Sequence, residues 1–129
     1  MTAMIRGIIL IGMGSCIGGI ARYLTQLFVQ RHFPSSIPFG TLSVNIFGCF
    51  LIGIIYALTG KGNLVSPEMR LLLATGFCGG YTTFSSYAYE NISLFQDGEF
   101  YYAGLYIIMS NVIGFAAVYL GILFVKIIT

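Results

Sequence analysis

Residues 79–87, Gly79-Gly80-Tyr81-Thr82-Thr83-Phe84-Ser85-Ser86-Tyr87, put two adjacent glycines and four serine and threonine hydroxyls inside an otherwise apolar segment. Adjacent glycines permit backbone conformations with positive φ. The hydroxyls of Thr82, Thr83, Ser85 and Ser86 can take up backbone groups freed where a helix breaks. The chemistry such a break offers is the holding of a small ion. Carbonyl oxygens of Gly79 and Thr82, released from a helical ladder, are ligands of the kind hard cations take. The competing reading is a kink at a helix crossing, tolerated because neighbouring helices compensate.

Other residues extend this chemistry along the chain. Asn45 stands in an apolar run without charges, with Thr41 one turn earlier on the same face and Gly48 close by. It reads either as interhelical glue or as an amide N–H₂ donating to a passing anion. Phe84 and Tyr87 are three apart and share a face if helix resumes after the break. They either pack or turn their partly positive ring edges toward an anion. Tyr102, Tyr106, Ser110 and Gly114 recur every four residues as one polar stripe, with Asn111 beside it. Arg22, about 22 Å along a helix from Gly7, either snorkels to an interface or collects anions in a wet vestibule. Glu90, one turn beyond the break, is either buried and protonated or interfacial. His32 has no role in this reading.

These side chains need spanning elements to place them, and the sequence supplies four. A spanning helix takes about 20 mostly apolar residues, and stretches 4–30, 39–58, 68–95 and 100–125 qualify, the third broken near residues 79–86. Residues 31–38 read as a loop with two prolines, residues 60–63 as a turn, and residues 96–99 as a second short turn. Ser66 followed by Pro67 reads as a helix N-cap with proline at the first helical position. Small residues (Gly7, Gly12, Gly14, Gly18 and Gly19, then Gly40, Gly48 and Gly53) lie where helices should approach closely.

Composition agrees with a single all-α membrane domain. Of 129 residues, 57% are hydrophobic and 8% charged, against about 25% charged in soluble domains, and the mean hydropathy is +0.91. The net charge of +2 and the absence of any basic run argue against a nucleic-acid partner. Cys16, Cys49 and Cys78, all in apolar stretches, read as small hydrophobes rather than a disulfide framework or metal site. The N-terminal apolar run lacks a small-x-small cleavage site and reads as a retained span. No phosphate loop, His–carboxylate cluster or nucleophile–base pair is present, so catalysis is not expected.

Four spans joined by short loops put both termini on one side. Arg6, Lys61, Arg70 and Lys126 then lie with the termini, and Arg22 and Arg31 lie opposite. Orientation follows such asymmetry, so a nearly balanced chain is compatible with insertion both ways and with an antiparallel dimer. Four helices enclose little volume, so an ion pathway calls for a second copy.

Gly18-Gly19-Ile20-Ala21-Arg22-Tyr23, Gly40-Thr41-Leu42-Ser43-Val44-Asn45-Ile46-Phe47-Gly48 and Gly76-Phe77-Cys78-Gly79-Gly80-Tyr81-Thr82-Thr83-Phe84-Ser85-Ser86-Tyr87 together resemble the CrcB/Fluc fluoride channel family. The resemblance runs over nearly the whole chain and is loosest in the fourth span. It implies a multi-pass protein of the bacterial inner membrane, arranged as a dual-topology antiparallel homodimer with two separate fluoride pores. It also implies a structural Na⁺ at the dimer centre, bound by the backbone carbonyls of Gly79 and Thr82. Carried over by position, Asn45 is the pore amide and Phe84 the first residue of an aromatic box. Thr41, Tyr106 and Ser110 belong to a polar track, with Glu90 and Ser85 as further candidates, and Arg22 belongs to a vestibule. The family usually has Phe where this chain has Tyr87, so an extra hydroxyl stands at the second aromatic position. The function implied is passive release of cytoplasmic fluoride, which confers fluoride resistance. The alternative is a small multidrug-type proton-coupled cation exporter. That chemistry needs a carboxylate in the membrane, and Glu90 is the one acid placed to serve.

Overall fold

The computed structural model describes residues 2–62 and 64–129, all as helices and short connections. Helix α1 (Ala3–His32) begins where the Thr2 hydroxyl accepts from the Ile5 nitrogen, and α2 (Phe39–Gly60) follows a connection through Ile37 and Pro38. The third crossing is composite. It starts as α3 (Pro67–Arg70), continues as a π-helix (Leu71–Cys78) and a short α4 (Gly79–Tyr81), breaks at Thr82 and Thr83, and resumes as α5 (Phe84–Gln96). Helix α6 (Phe100–Ile128) closes the chain.

Three of these helices, α1, α2 and α6, are continuous, long and apolar enough to cross a membrane. At 1.5 Å per residue even the shortest, α2, reaches ~33 Å, beyond the ~30 Å hydrocarbon core. The molecule is a multi-pass membrane protein by this measure, with the broken helix as its fourth element. Large apolar side chains such as Phe115 and Ile127 point outward all round, as expected where lipid rather than water is the solvent.

The ends of the elements agree with capping chemistry. Ser66 accepts from the Met69 nitrogen at 3.1 Å, with Pro67 at the first helical position as the sequence indicated. Gly98, at φ 75°, ends α5 in the left-handed conformation, and Glu99 N donates to Leu94 O at 2.8 Å across it. Arg31 and His32 are the last turn of α1 rather than part of the following loop, and α2 and α6 run to Gly60 and Ile128, slightly past their expected limits. Of the expected turn at residues 60–63, Asn63 lies outside the described residues. Arg6 pairs with Glu68 at 2.9 Å and Lys61 Nζ donates to Thr129 Oγ1 at 3.0 Å, so both termini share one end of the bundle with the α2–α3 turn.

Two seams hold the bundle together, and both depend on missing side chains. Helix α1 packs on the π-helix and α4, and α2 packs on α6. At Gly14 an added Cβ would strike the Leu72 carbonyl and lie 2.8 Å from Phe77 N; at Gly18 it would strike the Phe77 carbonyl. A Cβ on Gly80 would sit 2.6 Å from Ser15 O. Across the other seam, Gly53 faces the Val118 carbonyl and Gly121 the Phe50 carbonyl, each with no room for a methyl group. Gly12 and Gly19, by contrast, meet nothing within 4 Å. Backbone contact of this kind is what small residues give membrane helices, which gain no hydrophobic drive from each other in lipid. The remaining packing is modest: one cluster around Leu42, Leu94, Ala103 and Tyr106, and another around Ile55, Ala74 and Cys78.

Gly79 and Gly80 differ from expectation. Both are helical within α4, and the positive-φ glycines among the described residues are Gly62 and Gly98. Gly80 serves approach to α1 rather than an unusual backbone angle. Overpacking a tight contact costs about 1–3 kcal/mol, so Gly53→Val and Gly121→Val should each melt the purified, detergent-solubilised protein at a clearly lower temperature. Gly104→Ala, where nothing lies within 4 Å, should leave melting unchanged or raise it. Equal melting for all three would contradict the seam.

Candidate functional site

The break in the third crossing is held open by Asn45 of α2. Its Nδ2 donates to Thr83 O at 3.1 Å, and its Oδ1 accepts from Thr83 N at 2.8 Å. One side-chain amide thus satisfies both backbone groups of a residue that has left the helix. Thr82 (φ −91°, ψ 159°) and Thr83 (φ −151°, ψ 117°) are extended. Thr83 then caps α5, its Oγ1 accepting from Ser86 N at 3.1 Å and donating to Ser86 Oγ at 3.1 Å. Thr82 turns back, with N and Oγ1 both donating to Cys78 O at 2.9 and 2.8 Å. Gly48 lets α2 come this close, because a Cβ there would collide with the Thr82 methyl.

Two carbonyls lose their helical donors as a result. In a continuous helix Thr83 N would bond Gly79 O, and Ser86 N would bond Thr82 O. Those nitrogens instead donate to Asn45 Oδ1 and Thr83 Oγ1. The Gly79 and Thr82 carbonyls therefore carry free lone pairs, and both residues line a cavity of about 370 Å³ with Asn45, Gly48, Thr83 and Phe84. Oxygen donors of this sort suit a hard cation, so the residues present fit the ion that the sequence pattern implies. One protomer offers two such carbonyls, short of the six to eight oxygens that a hard cation such as Ca²⁺ collects.

Beyond the break, the polar residues expected to act together do meet. Thr41 Oγ1 donates to Glu90 Oε2 at 2.8 Å, and Tyr106 Oη donates to Glu90 Oε1 at 2.9 Å. Gln26 Nε2 completes the chain by donating to Thr41 Oγ1 at 3.1 Å. Thr41 and Tyr106 are buried, so these hydroxyls face protein, not lipid. Ser110, one turn on from Tyr106, has a buried Oγ without a partner. Phe84 and Tyr87 share a face, as their spacing predicted, with ring centroids 5.6 Å apart. Tyr87 is also set edge-on to Tyr106 at 5.2 Å, and its hydroxyl accepts from Asn111 Nδ2 at 3.2 Å. The Phe84 ring is 78% exposed on the outer face of the protomer.

Two expected members stand apart from this group. Ser85 is exposed and approaches Thr83 Oγ1 at 3.4 Å; it lines a separate cavity of about 480 Å³ with Gln26, Gln30, Ser86, Tyr89 and Glu90. Arg22 is half-buried one turn before Gln26 on α1 and does not line that cavity. Sequence reasoning missed Gln26, and it placed Asn111 beside the polar stripe without giving it a role. The available signal was periodicity: Arg22, Gln26 and Gln30 recur every four residues on a mostly apolar helix.

Residues 9–122 match the family described as "CrcB-like protein, Camphor Resistance (CrcB)". The chain is 52% identical over 119 residues to a protein of Chlorobium phaeobacteroides (strain BS1) named "Fluoride-specific ion channel FluC", covering 92% of each chain. Proteins of the same name from Gloeothece citriformis (strain PCC 7424) and Flavobacterium psychrophilum are 47% and 40% identical, over 92% and 90% of this chain and 96% and 94% of theirs. The matched region takes in both glycine seams, the Asn45 clasp and the broken crossing, and the chain belongs to the CrcB family.

Proposed function

We propose that this chain is a fluoride-selective channel of the bacterial plasma membrane that lets cytoplasmic fluoride leave passively. The observation that carries the reading is near full-length likeness to proteins named as fluoride-specific channels. The site chemistry fits it. Fluoride is small and strongly hydrated, so a pathway must replace lost water with closely spaced donors, and narrow pores discriminate by donor placement. Asn45 has one N–H left after its bond to Thr83, Ser110 Oγ has an unused hydroxyl, and the rings of Phe84 and Tyr87 offer positive edges. The physiological need follows from weak-acid trapping: HF crosses membranes, ionises in a neutral cytoplasm and accumulates as the anion.

The working unit in this reading is an antiparallel homodimer inserted in dual topology, with two pores. Support comes from the protomer's own incompleteness. Phe84 is largely exposed, and it lines the cavity beside the break together with Gly79 and Thr82. A two-fold axis beside Gly79 and Thr82 would double two carbonyls to four, and those residues would hold Na⁺. Bound there, the ion supplies fixed positive charge in a region of low dielectric.

Purified protein in liposomes should release fluoride rapidly while chloride stays inside, as read by ion electrodes; comparable chloride flux would overturn the channel reading. Asn45→Ala leaves Thr83 N–H and C=O unpaired at a cost of about 1–3 kcal/mol each, and it should abolish fluoride release and lower thermal stability. Phe84→Ile should abolish release without that loss of stability. Dual insertion has its own test. In a background with Cys16, Cys49 and Cys78 replaced, Gly98→Cys should react with membrane-impermeant thiol reagents from both sides of the membrane, about half from each. Labelling from one side alone would remove the antiparallel arrangement and leave the channel reading standing.

A further inference from the structure

We propose that Asn111 is a positioning residue that turns the Tyr87 ring into an O–H donor for the passing anion, an inference that rests on the fluoride reading above. Asn111 lies on α6 among Val112, Ile113 and Ile108, where a polar side chain is costly unless it faces protein or a wet path. Its amide nitrogen makes two bonds, to Ile107 O at 2.8 Å and to Tyr87 Oη at 3.2 Å. The first bond fixes the orientation of the amide. Turned over, it would set Oδ1 against the Ile107 carbonyl, acceptor against acceptor.

Three consequences follow. Both hydrogens of Nδ2 are engaged, so Asn111 has no N–H to give an anion, and any influence on transport passes through Tyr87. An amide nitrogen accepts nothing, so the Tyr87 proton cannot return along the same line and must leave from another side of the phenol oxygen. That oxygen already accepts one hydrogen bond, and polarisation along such a chain strengthens its own donation. Neighbouring rings restrict where the proton goes: Tyr106 stands edge-on at 5.2 Å and Phe84 at 5.6 Å. Tyr106 donates to Glu90, which leaves Tyr87 as the hydroxyl beside Phe84 with a free proton. Fluoride accepts hydrogen bonds far more strongly than chloride, so an aimed O–H at this point favours fluoride in a way a bare ring edge cannot.

The test is a double-mutant cycle on initial fluoride release from liposomes, with chloride release measured in parallel. Tyr87→Phe and Asn111→Leu should each slow fluoride about ten- to hundredfold, the scale of one hydrogen bond to a charged group, and raise the chloride-to-fluoride ratio. The double variant should be no slower than Tyr87→Phe alone. Asn111→Asp separates aiming from simple bracing of the ring. A carboxylate would accept the Tyr87 proton, so that variant should lose as much rate as Tyr87→Phe although the ring remains bonded. Wild-type rate and selectivity in Tyr87→Phe would overturn the proposal. So would an Asn111→Leu defect of equal size in both backgrounds, or full activity in Asn111→Asp. Wild-type protein that releases no fluoride overturns both this and the channel reading, whereas a conducting wild type with indifferent variants overturns this one alone.

Discussion

A peptide group that leaves a helix inside a bilayer has no water to turn to, and the pairing of Asn45 with Thr83 answers that constraint with one side chain. The amide supplies an acceptor for Thr83 N–H and a donor for Thr83 C=O at 2.8 and 3.1 Å, replacing both missing ladder partners in a setting where each unpaired group costs several kcal/mol. Much of the local design depends on this pairing. It frees Thr83 Oγ1 to cap α5, which sets the phase of that helix and so places Phe84, Tyr87 and Glu90 on one side. It also diverts the nitrogens that would have closed on Gly79 O and Thr82 O.

The clasp works only if α2 lies almost in backbone contact with the third crossing, and the glycine seams provide that closeness. Gly48 admits the Thr82 methyl, while Gly14, Gly18, Gly76 and Gly80 let α1 approach the π-helix and α4 main chain to main chain. The π-helix belongs to the same solution. Gly79 N donates to Ala74 O, five residues back, as well as to Gly76 O, so the wider coil runs right up to the short α4 that precedes the break. Single π turns are known mainly as bulges at functional sites; here eight residues adopt the form, packed against α1.

Much of this was legible in the residues. Four apolar stretches, the break in the third and the shared face of Phe84 and Tyr87 follow from hydropathy and from spacing at helical period, whereas the grouping of Thr41 with Tyr106 and Glu90 came only from the family resemblance. What escaped had no local signal. Nothing in Leu71-Leu72-Leu73-Ala74-Thr75-Gly76-Phe77-Cys78 distinguishes i→i+5 bonding from i→i+4; the segment packs against α1 across the seam, a neighbour that local sequence does not name. The paired glycines suggested positive φ, whereas Gly80 is helical and serves close approach, and only the position of Ser15 reveals that. Asn45 was read either as glue or as an ion ligand. Its actual bonds go to a backbone 38 residues away, a partner that no periodicity could name.

Glu90 poses the sharpest electrostatic question for an anion path. Its two oxygens hold the protons of Thr41 and Tyr106, so hydroxyls that look like pore donors in the sequence are turned toward the carboxylate. An anion arriving there would meet oxygen lone pairs and a nearby acid. Outside that chain of hydrogen bonds, the second Asn45 N–H, the Ser110 hydroxyl and the Tyr87 proton make no hydrogen bond among the described residues. The Gln26–Thr41–Glu90–Tyr106 chain braces α1, α2, α5 and α6 against one another, while the Ser110 hydroxyl one turn from Tyr106 stays outside it. A donor inside the braced chain would have to surrender a carboxylate or hydroxyl partner before it could bond anything else, and a donor outside it would not.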